Sequence, residues 1–107
     1  MNTPPLKEDA LSQSDVAAIH AALFEQLVTG HGQMALTFLG KIPDPNGETI
    51  GEPDLVAAKI FIDQLEMLTS KTRGNLSEKE VRLLGDTLKA TQEAFAELFD
   101  AQRGEPE

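Results

Sequence analysis

The residues best equipped for chemistry are two histidines, His20 and His31, set in an apolar run from Val16 to Leu39. On an α-helix they fall within about 20° of each other and about three turns apart, roughly 16 Å. One metal ion cannot bridge that distance along a single helix. Imidazole is a common zinc ligand and titrates near physiological pH. A zinc site or a pH-sensitive contact would therefore need a second copy, with an antiparallel first helix bringing His20 toward His31 of the partner subunit. The plainer expectation places both histidines in the apolar arc near Leu27 and Phe24, satisfied by a backbone carbonyl or water.

The remaining oxygen-bearing clusters read as structure. Asp44-Pro45-Asn46-Gly47-Glu48 begins like a calcium loop. Its glycine stands fourth where a calcium loop needs it sixth, and Leu55 occupies the place of the bidentate glutamate. A type I turn is expected there instead, with Pro45 second and Gly47 fourth. Asp63 and Glu66 share a polar arc with Lys59 and Ser70, which is the pattern of a solvated face. Glu93, Glu97 and Asp100 run down one side of a later helix without the Glu-x-x-His companion of a di-iron bundle. Gly40, Gly47 and Gly51 follow neither phosphate-loop nor dinucleotide spacing. The chain has no cysteine, which removes disulfides, thiol catalysis and thiolate metal sites. No catalytic, cofactor-binding or metal-binding residue is assigned, and a non-enzymatic protein is expected. The alternative is a helical protein that holds a small apolar ligand or a metal near His20 and His31.

The elements that carry these residues are helical. Ser14-Asp15 offers an N-cap for a first helix running to Leu39. Val16, Ile19, Leu23, Leu27, Met34 and Phe38 form its expected core side, with Phe24 at the border. Alanines 17, 18, 21, 22 and 35 permit close approach on other sides. Gly30 and Gly32 cost about 1 kcal/mol each against alanine, so one helix with a local irregularity is expected. Gly40 ends it, and the Pro/Gly-rich segment from Gly40 to Pro53 is a loop, with Ile42 and Ile50 as anchors. A second helix spans Asp54 to Arg73 and stops at Gly74. Ser77 and Glu80 then make a capping box, flanked by Leu76 and Val81 as a hydrophobic staple. A third helix follows to about Gln102, with Val81, Leu84, Leu88, Phe95 and Leu98 inward and Thr91 interrupting them.

The fold class is therefore all-α: a long N-terminal helix and a C-terminal helical hairpin in one domain, residues 14–102. Residues 1–13 and 103–107 read as disordered tails. The net charge is −9 over 107 residues. A negative surface repels nucleic acid and anionic membranes, so neither is an expected partner. No signal peptide or membrane span is visible, and a soluble, cytoplasmic protein is expected.

Two stretches, LGKIPDPNGE (Leu39–Glu48) and IDQLEMLTSKTRGNLSEKEVRLL (Ile62–Leu84), carry a family resemblance. An apolar helix ending in Leu-Gly, an Ile-Pro-Asp-Pro loop, a Leu-Glu-Met-Leu helix and a Lys-Thr-x-Gly-Asn-Leu junction occur in that order. Together they resemble the small bacterial family catalogued as domain of unknown function eighteen forty-four, over about Phe24 to Phe99. The resemblance implies a small, helical, cytosolic bacterial protein and supplies no activity, cofactor or site residue.

The second helix has more apolar surface than a three-helix domain needs. Phe61, Ile62, Leu65 and Leu68 are expected against the third helix. Val56, Ile60 and Met67 form a second patch. Either the first helix covers that patch, leaving its own alanine side to a partner, or the patch itself is the contact. A homodimer is expected, with Val56, Ile60, Met67, His20 and His31 as interface candidates and a further protein partner left open.

Overall fold

The computed structural model describes residues 12–102. Among these residues there are three helices and no strand: α1 (Gln13–Phe38), α2 (Leu55–Lys71) and α3 (Glu78–Gln102). Of the tails expected to be disordered, residues 1–11 and 103–107 lie outside the described residues. Ser12 and Gln13 belong to the start of α1 instead.

Each helix end is fixed by a local device. Ser12, not Ser14, caps α1, because its hydroxyl accepts from the Asp15 N–H at 3.1 Å. The C-terminus of α1 closes in a Schellman motif. Gly40 N–H donates to the Thr37 carbonyl, Lys41 N–H donates to the Leu36 carbonyl, and Gly40 sits at φ +76°. The Asp54 carboxylate caps α2 by accepting from Ala57 N–H at 3.0 Å. Its own N–H donates to the Phe38 carbonyl at 2.8 Å, which ties the start of α2 to the end of α1. At the end of α2, the Thr72 hydroxyl and N–H both donate to the Leu68 carbonyl. Gly74, at φ +87°, then turns the chain. The capping box forms in both directions: Glu80 N–H donates to the Ser77 hydroxyl at 3.1 Å, and Ser77 N–H donates to the Glu80 carboxylate at 3.0 Å. The staple is only half engaged. Leu76 packs against the core, while Val81 is 56% exposed.

Side-chain contacts set the helix directions. His31 meets Phe61 and Gln64, and Phe38 stacks on Phe61. Rising numbers in α1 thus meet falling numbers in α2, and the two are antiparallel. Gly32 lies against Thr87 and Lys41 pairs with Glu97, so α1 and α3 run parallel. All three helices pack on one another. The centre is Val28, Leu65 and Leu84, with Phe24, Leu68, Leu76, Leu83 and Leu88 around it. Thr91 is buried in the same layer. Its hydroxyl is satisfied within α3 by the Thr87 and Leu88 carbonyls, so it adds no unpaired polar group to the core.

α1 is unbroken through Gly30 and Gly32, without the expected irregularity. Gly32 is buried, and a Cβ there would stand 2.6 Å from Thr87 Cγ2. The glycine is therefore the point of closest approach between α1 and α3. This rotates α1 by roughly a third of a turn from its expected orientation, leaving the expected Met34 and Phe38 part-buried at the edge of the packed face. Its inward stripe is Phe24, Val28, Gly32, Ala35 and Leu39. The expected core residues Ile19, Leu23 and Leu27 are 46%, 54% and 44% exposed. Small residues win the core position because they let helix axes come closer than leucines do.

Candidate functional surface

Two stripes of large apolar side chains meet on the outer side of α1 and α2. On α1, Leu23, Leu27 and His31 succeed one another at i+4 steps and therefore share a face. On α2, Ile60, Gln64 and Met67 do the same at i+4 and i+3 steps. One hydrogen bond places the stripes side by side: His31 Nε2 lies 2.7 Å from Gln64 Oε1. Ile60 and Met67 are 52% and 46% exposed, and Val56, one turn before Ile60, is the most exposed large hydrophobic at 76%. The second-patch residues are thus uncovered. α1 does not shield them; of its small residues Gly32 and Ala35 are turned inward, while Ala17, Ala18, Ala21 and Ala22 stay exposed. Phe61 is likewise displaced from its expected place against α3. It stacks on Phe38 of α1 and takes the His31 ring edge-on, with centroids 5.5 Å apart.

The His31 ring is held at both nitrogens. Nδ1 donates to the Leu27 carbonyl at 3.1 Å. With a second ring proton, Nε2 donates to Gln64 Oε1. In the neutral ring, Nε2 accepts from the Gln64 amide turned over. A zinc ion at His31 would have to break one of these bonds. His20 stands in the exposed first turns of α1, about 16 Å further along the helix, and the structure does not bring the two histidines together within one chain. Among the described residues, no group of three or more His, Asp or Glu could hold a metal ion.

The acidic candidates serve local structure. Asp44 Oδ1 accepts from Asn46 N–H and Glu48 N–H, both at 2.9 Å, and Gly47 N–H closes the turn on the Asp44 carbonyl at 2.8 Å. The segment is the expected turn, with its carboxylate occupied by the backbone. Lys59 Nζ pairs with both Asp63 oxygens at 2.9 and 3.0 Å. The hydrogen bond to Asp63, then that carboxylate's charge, raises the Lys59 pKa above the ordinary lysine value. Open grooves lie elsewhere, two of them flanked by several helix or loop segments. One of about 210 Å³ sits at the α2–α3 turn between Thr69, Thr72, Leu76, Val81 and Gly85. The other, of about 440 Å³, separates α1 at Gly30 and Met34 from the loop at Ile42 and Pro43. The first is walled by apolar carbon and Thr hydroxyls, and the second by loop and helix surface.

The family model described as Domain of unknown function (DUF1844) matches residues 21–97. That is well over half of the chain. The chain belongs to the DUF1844 family. No curated protein and no solved structure matches it. The matched span covers α2, the capped turn, most of α3 and α1 from Ala21 onward. The DUF1844 chain has no helix, among the described residues, long and apolar enough to cross a membrane.

Sequence reasoning missed Ile19, Leu23 and Leu27 as surface residues and Gln64 as the partner of His31. A signal for the first existed. Val28, Gly32, Ala35 and Leu39 recur at helical spacing and form an alternative inward stripe of mostly small residues. For Gln64 there was none, because a hydrogen bond between residues 33 positions apart leaves no local mark.

Proposed function

We propose that this DUF1844 protein is a non-enzymatic, cytoplasmic self-association module, whose contact surface is the apolar face of α1 and α2. One observation carries the reading: Leu23, Leu27, Val56, Ile60 and Met67 are all exposed on adjoining stripes, which are uncharged from Leu23 to His31 and from Val56 to Met67, with Lys71 next in line beyond Met67 and Asp63 at the border. Contiguous apolar surface of this kind marks an interaction site. In a chain with net charge −9, it is also the surface on which a like-charged copy can dock without opposing acids. Burial of a Leu, Ile, Val or Met side chain contributes about 1.5–3 kcal/mol. Even half-exposed side chains on both copies therefore supply enough to offset the cost of association. The same module can present its acidic outer faces to a further protein as a scaffold. The ligand or metal reading is weaker, because both nitrogens of His31 are engaged and His20 is remote from it.

Light scattering after size exclusion tests the proposal. The full chain at tens of micromolar should elute as a dimer. Val56→Asp and Met67→Asp should give monomers with unchanged helical content, and Lys89→Ala should leave the dimer intact. A monomeric parent protein, or a dimer indifferent to both aspartates, would overturn it.

A further inference from the structure

α1 is longer than the body it packs on. Its antiparallel register with α2, fixed by His31 against Gln64 and Phe61, places Lys71 at the end of α2 about level with Leu23. Phe24 and Leu76 then border the same core cluster. The eleven residues from Gln13 to Leu23 therefore extend past both neighbouring helices as an arm of roughly 16 Å. Every residue of the arm is exposed except Val16, which is half-buried. The arm continues the packed part of α1 without a break, so it needs no nucleation of its own, but it has little intramolecular packing from α2 or α3.

The arm matches the uncovered stripe of α2 in length, spacing and charge. Val56 to Met67 spans about 17 Å of helix, as does Val16 to Leu27. Val16, Ile19-His20, Leu23 and Leu27 recur at the same three-to-four-residue steps as Val56, Ile60, Gln64 and Met67. Asp15 is the sole acid on the arm, and Arg or Lys is absent from it. The two matching surfaces belong to one chain, which is the self-complementarity that a two-fold contact requires.

We infer that two copies exchange arms. Resting on the self-association reading, the arrangement has α1 of each copy crossing α1 of the other antiparallel at Leu27. Beyond the crossing, each arm reaches over the other copy's α2, running parallel to it. Val16 then lies near the partner's Val56, Ile19 near the partner's Ile60, and Leu27 near the partner's Met67. The level of Leu27 follows from the fold itself, because within one chain Leu27 already stands about level with Met67. The two-fold axis therefore passes close to Leu27, and the two Val56 residues end about 30 Å apart.

The cysteine-free chain makes single-cysteine crosslinking a clean test. Oxidation of full-length Leu27→Cys should give a covalent dimer in high yield. Val56→Cys alone should give little. A mixture of Val16→Cys and Val56→Cys copies should crosslink to each other. A dimer in solution in which Val56→Cys crosslinks to itself, or in which Leu27→Cys and the mixed pair both fail, overturns the arm exchange and leaves self-association standing. A parent chain that is monomeric by light scattering overturns both. Ile19→Asp separates packing from folding: it should dissociate the dimer while the total helical circular-dichroism signal falls by no more than the arm's share, and a dimer unaffected by it counts against the arm.

Discussion

The close approach at Gly32 can be measured against an internal control. Gly30 and Gly32 lie two residues apart in the same unbroken helix. Alanine is favoured over glycine in a helix interior by roughly 0.8–1.0 kcal/mol. At Gly30 a new Cβ meets nothing within 4 Å, so Gly30→Ala should stabilise by about that amount. At Gly32 the same gain is opposed by a Cβ 2.6 Å from Thr87 Cγ2. Thr87 has two χ1 rotamers open to it in a helix, so either its side chain turns or α1 moves away from α3, and each disturbs the packing. Overpacking of this kind costs about 1–3 kcal/mol. Gly32→Ala should therefore lie about 1–3 kcal/mol below Gly30→Ala, which for a domain of this size is a separation on the order of 4–8 °C in Tm per kcal/mol. Thr87→Ser deletes the opposing methyl. In the double variant Gly32→Ala/Thr87→Ser most of the loss should return, giving a coupling of about 1–2 kcal/mol between the two sites. Urea titration followed by circular dichroism reads the parent and the four variants, at one fixed protein concentration because association shifts apparent stability. Equal stabilisation by both alanines would refute the inward orientation of α1, and with it the exposure of the Leu23–Leu27 stripe.

Three further outcomes are expected. Ser77→Ala and Glu80→Ala each remove one half of the capping box and should cost about 1 kcal/mol in the same titration, whereas Glu80→Gln, which keeps an acceptor for Ser77 N–H, should cost less; equal losses from Gln and Ala would contradict the observed bond. Gly74→Ala forces a side chain into φ +87° and should destabilise by about 1–2 kcal/mol, unlike Gly85→Ala, whose Cβ meets nothing within 4 Å. Lys59 has its pKa raised in the folded state by Asp63, so its contribution is fully present below the ordinary lysine pKa and is lost as pH rises through the folded value. The stability difference between the parent and Asp63→Asn should therefore be flat through neutral pH and close in the alkaline range, and a difference that grows with alkalinity would show that the pair is not its origin.

The features legible in the sequence were those written within a few residues of where they act. Gly40, Asp54, Gly74 and the Ser77–Glu80 box each specify a backbone bond to a near neighbour, and each forms as the residue types require. The start of α1 was placed two residues late because Ser12, Ser14 and Asp15 are all competent caps. What selects Ser12 is that its hydroxyl reaches a backbone N–H three residues on. The orientation of α1 was not legible in the same way. Ranking its positions by side-chain size puts Ile19, Leu23 and Leu27 inside. The fold ranks them by how closely two helices can approach, which puts Val28, Gly32 and Ala35 inside.

That rotation of α1 moves the apolar surplus without removing it. Had the leucines been inside, the open surface of α1 would be alanine, whose burial returns little free energy. With Val28, Gly32 and Ala35 inside, the open surface holds Ile19, Leu23 and Leu27 as well as Ala17, Ala18, Ala21 and Ala22, beside Ile60 and Met67. Each of the larger side chains contributes about 1.5–3 kcal/mol when fully buried against being exposed. The core closes over Val28, Leu65 and Leu84, with Gly32 and Ala35 beside them, and it leaves Ile19, Leu23 and Leu27 in water. A second copy that covered those three would recover that free energy. The His31–Gln64 pair bears on that arrangement: both imidazole nitrogens and Gln64 Oε1 already have partners within the chain, so a covering surface has to meet only the Gln64 amide N–H groups.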